Sequence, residues 1–246
     1  MITERRHIKI LKMLEEFEII KLSEIIEEIN TSESTVRRDL DFLEKKGLLE
    51  RVHGGAKRVT HKGEELSYSE KSIQNIEDKE KIGKLAAELV EENDGIFIDA
   101  GTSTYEMIPY LKGKNIMVIT TGVNHIGALI ENNIPCYMIG GKVKEKTKAI
   151  IGSDAIENLK KFSFDKAFLG ANGVHGEFGY TTPDSEEAMI KRIAKELSRE
   201  VFILADHTKF NKSALVKFGE LEEGIILTDI DEGIETIKEL TEVRMG

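Results

Sequence analysis

The chain has 246 residues, 40% of them hydrophobic and 33% charged, which fits a globular protein of one or two domains and excludes a disordered one. No apolar run approaches the roughly 18–20 residues that a membrane-spanning helix needs, and the single cysteine, Cys136, excludes an internal disulfide. The net charge of −10 is unevenly spread: residues 1–59 carry 12 basic and 12 acidic side chains, residues 60–246 carry 23 and 33, so a neutral head on an acidic body can still meet a polyanion.

Three short helices and a hairpin are expected first. One helix follows Thr3, a good N-cap, with Ile10, Met13, Leu14 and Phe17 at i, i+3, i+4, i+7. The second repeats that spacing in Leu22, Ile25, Ile26 and Ile29. Asn30-Thr31-Ser32 breaks the pattern, and Ser32 can cap a third helix that turns Val36, Leu40 and Leu43 inward and stops at Gly47. Two extended runs, 48–53 and 56–59, flank Gly54-Gly55, a hairpin-turn dipeptide. Residues 60–77 read as a polar linker running into a connecting helix.

From residue 78 to 246 the pattern alternates. A helix over 78–91 precedes strand 96–99, helix 104–111, strand 116–120, helix 124–131 and strand 136–139. A hairpin within 142–150, helix 154–160, strand 166–169, helix 186–198, strands 201–204 and 225–227 and helix 232–240 complete it. The expected class is α/β: a winged helix-turn-helix over 1–59 and, over 78–246, a mostly parallel sheet with helices on both faces. Such sheets bind ligands beyond the C-terminal ends of their strands.

In the head, Ser34, Thr35, Arg37, Arg38 and Asp41 fall at the start or outer surface of the third helix, the part of a recognition helix that enters the major groove. Arginine can grip guanine bidentately, and serine and threonine hydroxyls reach phosphates or base edges. The Gly-Gly wing adds Arg51, His53, Lys57 and Arg58 for phosphate or minor-groove contact. The competing reading makes Arg37, Arg38 and Asp39 a solvated face of local charge pairs on a protein-binding module.

Residues 32–40, Ser-Glu-Ser-Thr-Val-Arg-Arg-Asp-Leu, with Leu43-Glu44 and Gly47-Leu48-Leu49-x-Arg51-Val52-His53-Gly54-Gly55-Ala56 behind them, resemble the head of the DeoR/GlpR family of bacterial transcription regulators. The resemblance implies operator DNA as the partner. It leaves open which of Arg37 and Arg38 reads bases and which is tied to Asp39 or Asp41.

In the body, Asp99-Ala100-Gly101-Thr102-Ser103-Thr104 follows a strand and opens a helix, where N–H groups, hydroxyls and the helix dipole favour an anion. Thr120-Thr121-Gly122, Gly140-Gly141-Lys142, Gly170-Ala171-Asn172-Gly173 and Ala205-Asp206-His207-Thr208-Lys209 end four further strands. Each alone is an ordinary turn; their recurrence at one edge points to a polar, anionic ligand. The candidate residues are Asp99, Gly101, Thr102, Ser103, Thr104, Thr121, Gly122, Lys142, Asn172, Asp206 and Lys209. Lys79 could also reach the crevice, and the histidines, His125 and His207 among them, are expected as scattered polar residues.

These loops, with A-F-L-G-A-N-G at 167–173, L-A-D-H-T-K-F at 204–210 and L-T-D at 227–229, also resemble the family's effector domain, so the resemblance covers essentially the whole chain. It implies a domain similar to ribose-5-phosphate isomerase that binds a phosphorylated sugar. That enzyme's acidic G-A-D-E-x-D motif is replaced here by Gly170-Ala171-Asn172-Gly173-Val174-His175, with Glu186 or Glu187 as the nearest remnant of a base. Sugar isomerisation needs such carboxylates, so the expectation is a sensor and not an enzyme: a repressor of a sugar-catabolic operon, released by a sugar phosphate. An activator or dual regulator on the same chassis is the alternative, and an isomerase with a DNA-binding module the remote one. A helix-turn-helix monomer reads few base pairs, which implies a homodimer or homotetramer. No metal, cofactor or membrane is expected, and with no signal-peptide core at residues 1–12 a cytoplasmic protein is expected.

Overall fold

The apolar stripes of the first helices meet in one small core. In the computed structural model, which describes residues 2–17, 19–52, 54–58 and 65–246, contacts divide the chain into Met1–Gln74 and Asn75–Gly246. The first unit runs α1 (Thr3–Phe17), β1 (Ile19–Lys21), α2 (Leu22–Ile29), α3 (Glu33–Lys45), β2 (Leu49–Val52), β3 (Gly55–Arg58) and α4 (Tyr68–Ser72). Ile10, Leu14, Ile25, Ile29, Val36, Leu40 and Leu43 are buried together. Phe17, expected in that stripe, is instead 60% exposed, because α1 ends there and the chain turns away into β1. Thr3 is the first helical residue and not the cap.

Ser32 does cap α3, accepting the Thr35 N–H at 3.3 Å, and Gly47 follows the helix with φ of +72°, a conformation that costs glycine little. The hairpin β2–β3 gains a third strand that the sequence did not announce. β1 pairs antiparallel with β3, Ile20 opposite Ala56, in the order β1-β3-β2. Within the stretch read as linker, Ser67 and Glu70 form a reciprocal capping box that starts α4, and Ile73 packs on the core of the first unit.

The second unit continues with α5 (Ile76–Glu88), β4 (Gly95–Ile98), α6 (Thr102–Tyr105), β5 (Met117–Thr120), α7 (Val123–Glu131) and β6 (Cys136–Met138). A hairpin, β7 (Lys142–Lys144) and β8 (Ala149–Ile151), leads to α8 (Ser153–Leu159), β9 (Phe164–Gly170), β10 (Gly173–His175), β11 (Gly179–Thr182) and α9 (Ser185–Glu196). Then come β12 (Ser198–Leu204), β13 (Val216–Gly219), β14 (Ile225–Thr228), α10 (Glu235–Lys238) and β15 (Val243–Met245). Seven strands form one sheet in the order β15-β14-β12-β9-β4-β5-β6, with every neighbouring pair parallel.

Alternate strand residues feed two cores, one on each face. Phe97, Ile119, Ala167, Leu169 and Ile203 join the first, and Ile96, Ile98, Val118, Phe168 and Phe202 the second. From β4 the chain builds outward through β5 and β6, then returns to lay β9, β12, β14 and β15 on the other side. Strand order therefore reverses between β4 and β9, the place where open α/β sheets form a crevice. Three expectations change. The helix over 104–111 is interrupted: α6 stops at Tyr105, and Ile108–Leu111, with Pro109 near its start, is a 3₁₀ turn. The helix over 232–240 shrinks to α10, and β10, β11 and β13 form a small antiparallel sheet in stretches read as loop.

Candidate functional site

On α3 the hydroxyls of Ser34 and Thr35 lie 3.1 and 2.8 Å from that of Ser32, so the cap organises both at the helix start. Arg37 is paired with Glu33 one turn back, at 2.7–2.8 Å, on an exposed face. Arg38 is exposed and has no ion-pair partner among the described residues. Neither arginine is tied to Asp39 or Asp41. Asp39 is buried and accepts from Arg6 at 2.7 and 3.0 Å and lies 3.1 Å from His7 Nε2, fastening α1 to α3; Asp41 pairs with Arg51.

Arg51 also donates its backbone N–H to Glu44 at 2.8 Å, so this wing residue is held against α3. Lys57 faces Glu50 across the hairpin at 2.9 Å and is about 40% exposed. His53 and the side chain of Arg58 lie outside the described residues. The structure thus brings Ser34, Thr35, Arg37 and Arg38 together on one helix, sets Lys57 on the wing and commits Arg51 to Asp41.

In the second unit all seven strands point one way, so the loops after β5, β4, β9 and β12 are neighbours in that order. Asp99, after β4, is buried at the reversal between β4 and β9. Its Oδ2 accepts the Gly170 N–H at 3.1 Å and the ammonium of Lys191, which also donates to Gly170 O at 3.0 Å. Asp99 therefore knits the two central loops together. Gly101 is the N-cap of α6, whose first-turn N–H groups have no intrahelical acceptors. The hydroxyls of Thr102 and Ser103 have no protein partner among the described residues, whereas that of Thr104 turns inward to Asp99 O at 2.6 Å and Gly101 O at 2.9 Å.

Gly122 is the N-cap of α7, and a side chain there is excluded because a Cβ would stand 2.2 Å from His125 Nδ1. His125 is fully buried, 3.3 Å from the Thr104 hydroxyl, and its Nδ1 has no hydrogen-bond partner. Burial pushes the imidazole down to about 4, against a smaller opposite pull from Asp99. Thr121 is buried as well. Lys142 is well exposed and reaches Glu186 at 3.1 Å. Asn172 accepts from the Thr182 hydroxyl at 3.2 Å.

After β12, Asp206 is fully buried; its Oδ1 accepts from the Thr208 N–H at 3.0 Å and from Asn75 at 3.3 Å, and Lys209 lies 3.7 Å from its Oδ2. Burial alone would raise the Asp206 carboxyl, but the charge of Lys209, the Thr208 hydrogen bonds and the charge of Lys79 outweigh it and hold it below the usual carboxylate range. Lys79, itself buried at the start of α5, thus acts electrostatically on this loop. Lys191 and Asn75 were not foreseen, since nothing in their local sequence marks them. The carboxylate of Glu187 is engaged by Thr147 and by Lys144 at 3.2 Å, and Lys144 also reaches Asp184 at 3.0 Å. A surface cavity of about 430 Å³ bounded by Arg199, Glu200, Gly224 and Thr241 lies at the opposite edge of the sheet and shares no residue with the crevice.

A winged helix that turns two arginines outward on its third helix, in one chain with a parallel sheet whose strand order reverses beside polar strand-end loops, defines a DNA-binding regulator with a sensor domain. The chain belongs to the DeoR family of transcriptional regulators. Residues 6–62 match the DeoR-like helix-turn-helix domain and residues 74–229 the DeoR C terminal sensor domain. It is 45% identical to the HTH-type transcriptional regulator FruR of Bacillus subtilis, over 94% of this chain and 93% of that protein. It is 34% identical to the HTH-type transcriptional regulator GlpR of Haloferax volcanii, over 93% and 91%, and 34% identical to the lactose phosphotransferase system repressor of Staphylococcus aureus, over 96% of both. Ribose 5-phosphate isomerase A from Neisseria gonorrhoeae superposes with a TM-score of 0.42 at 20% identity, over 56% of this chain and 54% of that one; a likeness of that size says nothing of function. The relatives are regulators, and the chain is one too, not an enzyme.

Proposed function

We propose that this regulator represses a sugar-catabolic operon, and that a phosphorylated sugar bound at the strand ends of its second unit lowers its affinity for the operator. The observation that carries the reading is the start of α6, beside the strand-order reversal. There the hydroxyls of Thr102 and Ser103 have no protein partner among the described residues, and they sit with first-turn N–H groups suited to an anion. Asp206 and Lys209, two strands away along the same edge, supply an ionised acceptor and a cation for the rest of the ligand. Glu186 and Glu187, the two carboxylates nearest to where an isomerase base would stand, are paired with Lys142 and with Lys144, and Glu187 also accepts from the Thr147 hydroxyl, which favours sensing over proton abstraction. The repressor sense follows the relative named as a repressor in Staphylococcus aureus.

The protein works as a homodimer or homotetramer in the cytoplasm, because one recognition helix reads too few base pairs for tight, specific binding. The test is calorimetric titration with pentose and hexose phosphates and their unphosphorylated parents, followed by operator binding with and without the hit. A ligand at 100 times its Kd stabilises the fold by about 2.7 kcal/mol and releases the operator. Equal affinity for phosphorylated and plain sugar would remove the role given to α6.

A further inference from the structure

Three elements far apart in sequence bring one imidazole and two carboxylates to the same place. Asp78 stands in the first turn of α5, His207 in the loop after β12, and Asp229 directly after β14. Each offers one ligand atom, and the three atoms lie within 4.8 Å of one another. His207 Nδ1 is 2.8 Å from Asp229 Oδ2 and 3.7 Å from Asp78 Oδ2. The other oxygen of Asp229 accepts the His207 backbone N–H at 2.7 Å, which fixes the carboxylate against the residue that carries the ring. The Asp229 side chain is only 6% exposed.

The two separations from His207 Nδ1 match a coordination shell. Two ligand atoms about 2.1 Å from a shared ion stand roughly 2.8–3.7 Å apart when they subtend about 85–125° at it, which spans octahedral and tetrahedral angles. One imidazole nitrogen with two carboxylate oxygens suits a borderline transition metal better than Mg²⁺ or Ca²⁺, which favour all-oxygen shells. A second observation comes from the preceding residue in the chain. Asp206 is fully buried and its Oδ2 accepts no hydrogen bond, facing only the Lys209 ammonium at 3.7 Å, so the loop that carries His207 keeps a buried, ionised oxygen with a free lone pair.

We propose that Asp78, His207 and Asp229 bind a divalent transition-metal ion of the zinc or manganese type, with positions left for water. The ion clips the start of α5 to the ends of β12 and β14, at the same edge of the sheet as the crevice but through residues the sugar-phosphate reading does not use. No spacing rule reveals it, because the ligands stand 22 and 151 residues apart along the chain.

The test is titration of chelator-treated full-length protein with Zn²⁺, Mn²⁺ and Mg²⁺ by calorimetry, alongside thermal unfolding, for the wild type, His207→Gln, Asp229→Asn and the more peripheral Asp78→Asn. The expected result is one saturable Zn²⁺ or Mn²⁺ ion per chain that raises the melting temperature, with Mg²⁺ weaker. Each substitution should weaken binding by at least about 10–100-fold, the range that even outer-shell changes produce. Lack of saturable one-to-one binding in the wild type overturns the proposal. So does wild-type affinity in any folded variant, which would place the ion elsewhere. Should His207→Gln or Asp229→Asn fail to fold, Asp78→Asn decides alone.

Discussion

Lys191→Met should be the most damaging single substitution in the second unit. The Lys191 and Asp99 side chains are 6% and 8% exposed, so the pair is nearly cut off from water. Removing the ammonium leaves a buried carboxylate whose remaining described support is one N–H, from Gly170. Breaking a buried pair from one side costs about 3–5 kcal/mol, because the surviving charge keeps its desolvation penalty without its partner. For a unit of this size, each kcal/mol shifts the midpoint by about 2–4 °C, so scanning calorimetry should record a fall of about 6–20 °C in its transition. Methionine is chosen because it keeps most of the side-chain volume. The decisive control is the double variant Asp99→Asn with Lys191→Met, which removes the orphaned charge and should melt higher than Lys191→Met alone. A fall below about 2 °C in the single variant, or a double variant that melts lower still, would refute the claim that an unpaired buried charge sets the cost.

Arg38→Ala should weaken operator binding by about 1–3 kcal/mol and spare random DNA far more, whereas Arg37→Ala should cost less, its guanidinium being shared with Glu33; fluorescence anisotropy on both DNAs checks the asymmetry, and the reverse order would reassign the reading residue. Thr102→Val with Ser103→Ala should abolish the response to the sugar phosphate while leaving operator affinity in place, as measured by the same assay with ligand added. His125 makes the fold acid-sensitive. Its folded value of about 4 lies below the unfolded value of 6.5, so the unfolded chain binds the proton first, and stability held above pH 6.5 is lost as pH falls toward 4. The full loss is about 3 kcal/mol, and melting temperature against pH should be flatter over that window in His125→Gln.

Helices with a clear stripe, such as α3, and strands with continuous apolar runs, such as β4, were legible because periodicity reports which residues are buried. It does not report what they are buried against. The three residues of β1 are too few to show a period, and their partner β3 lies more than thirty residues away. Likewise β11 meets β13 only after α9 and β12 have intervened, with Thr182 opposite Val216. At the site, the strand-end loops could be read directly from their glycines and hydroxyls. Which of those groups are already occupied could not: Asp99 is taken by a lysine 92 residues on, the Thr104 hydroxyl by the Asp99 and Gly101 carbonyls, and Asp39 by Arg6, 33 residues back. Long-range charge pairing leaves no local trace in composition or spacing.

Helix α9 carries a row of attachments whose combined effect is mechanical. Near its N-terminus Glu186 and Glu187 hold Lys142, Lys144 and Thr147 of the β7–β8 hairpin. At mid-length Lys191 grips Asp99 and Gly170 between the central loops, and Arg192 grips the Lys217 carbonyl on β13. Near its end Lys195 holds Glu223, just before β14. A twelve-residue helix is a stiff rod about 18 Å long, and its fastenings are not independent springs. Loosening any one of them leaves the others to bear its load, so the hairpin, the central crevice and the β13–β14 region must tighten or slacken in concert.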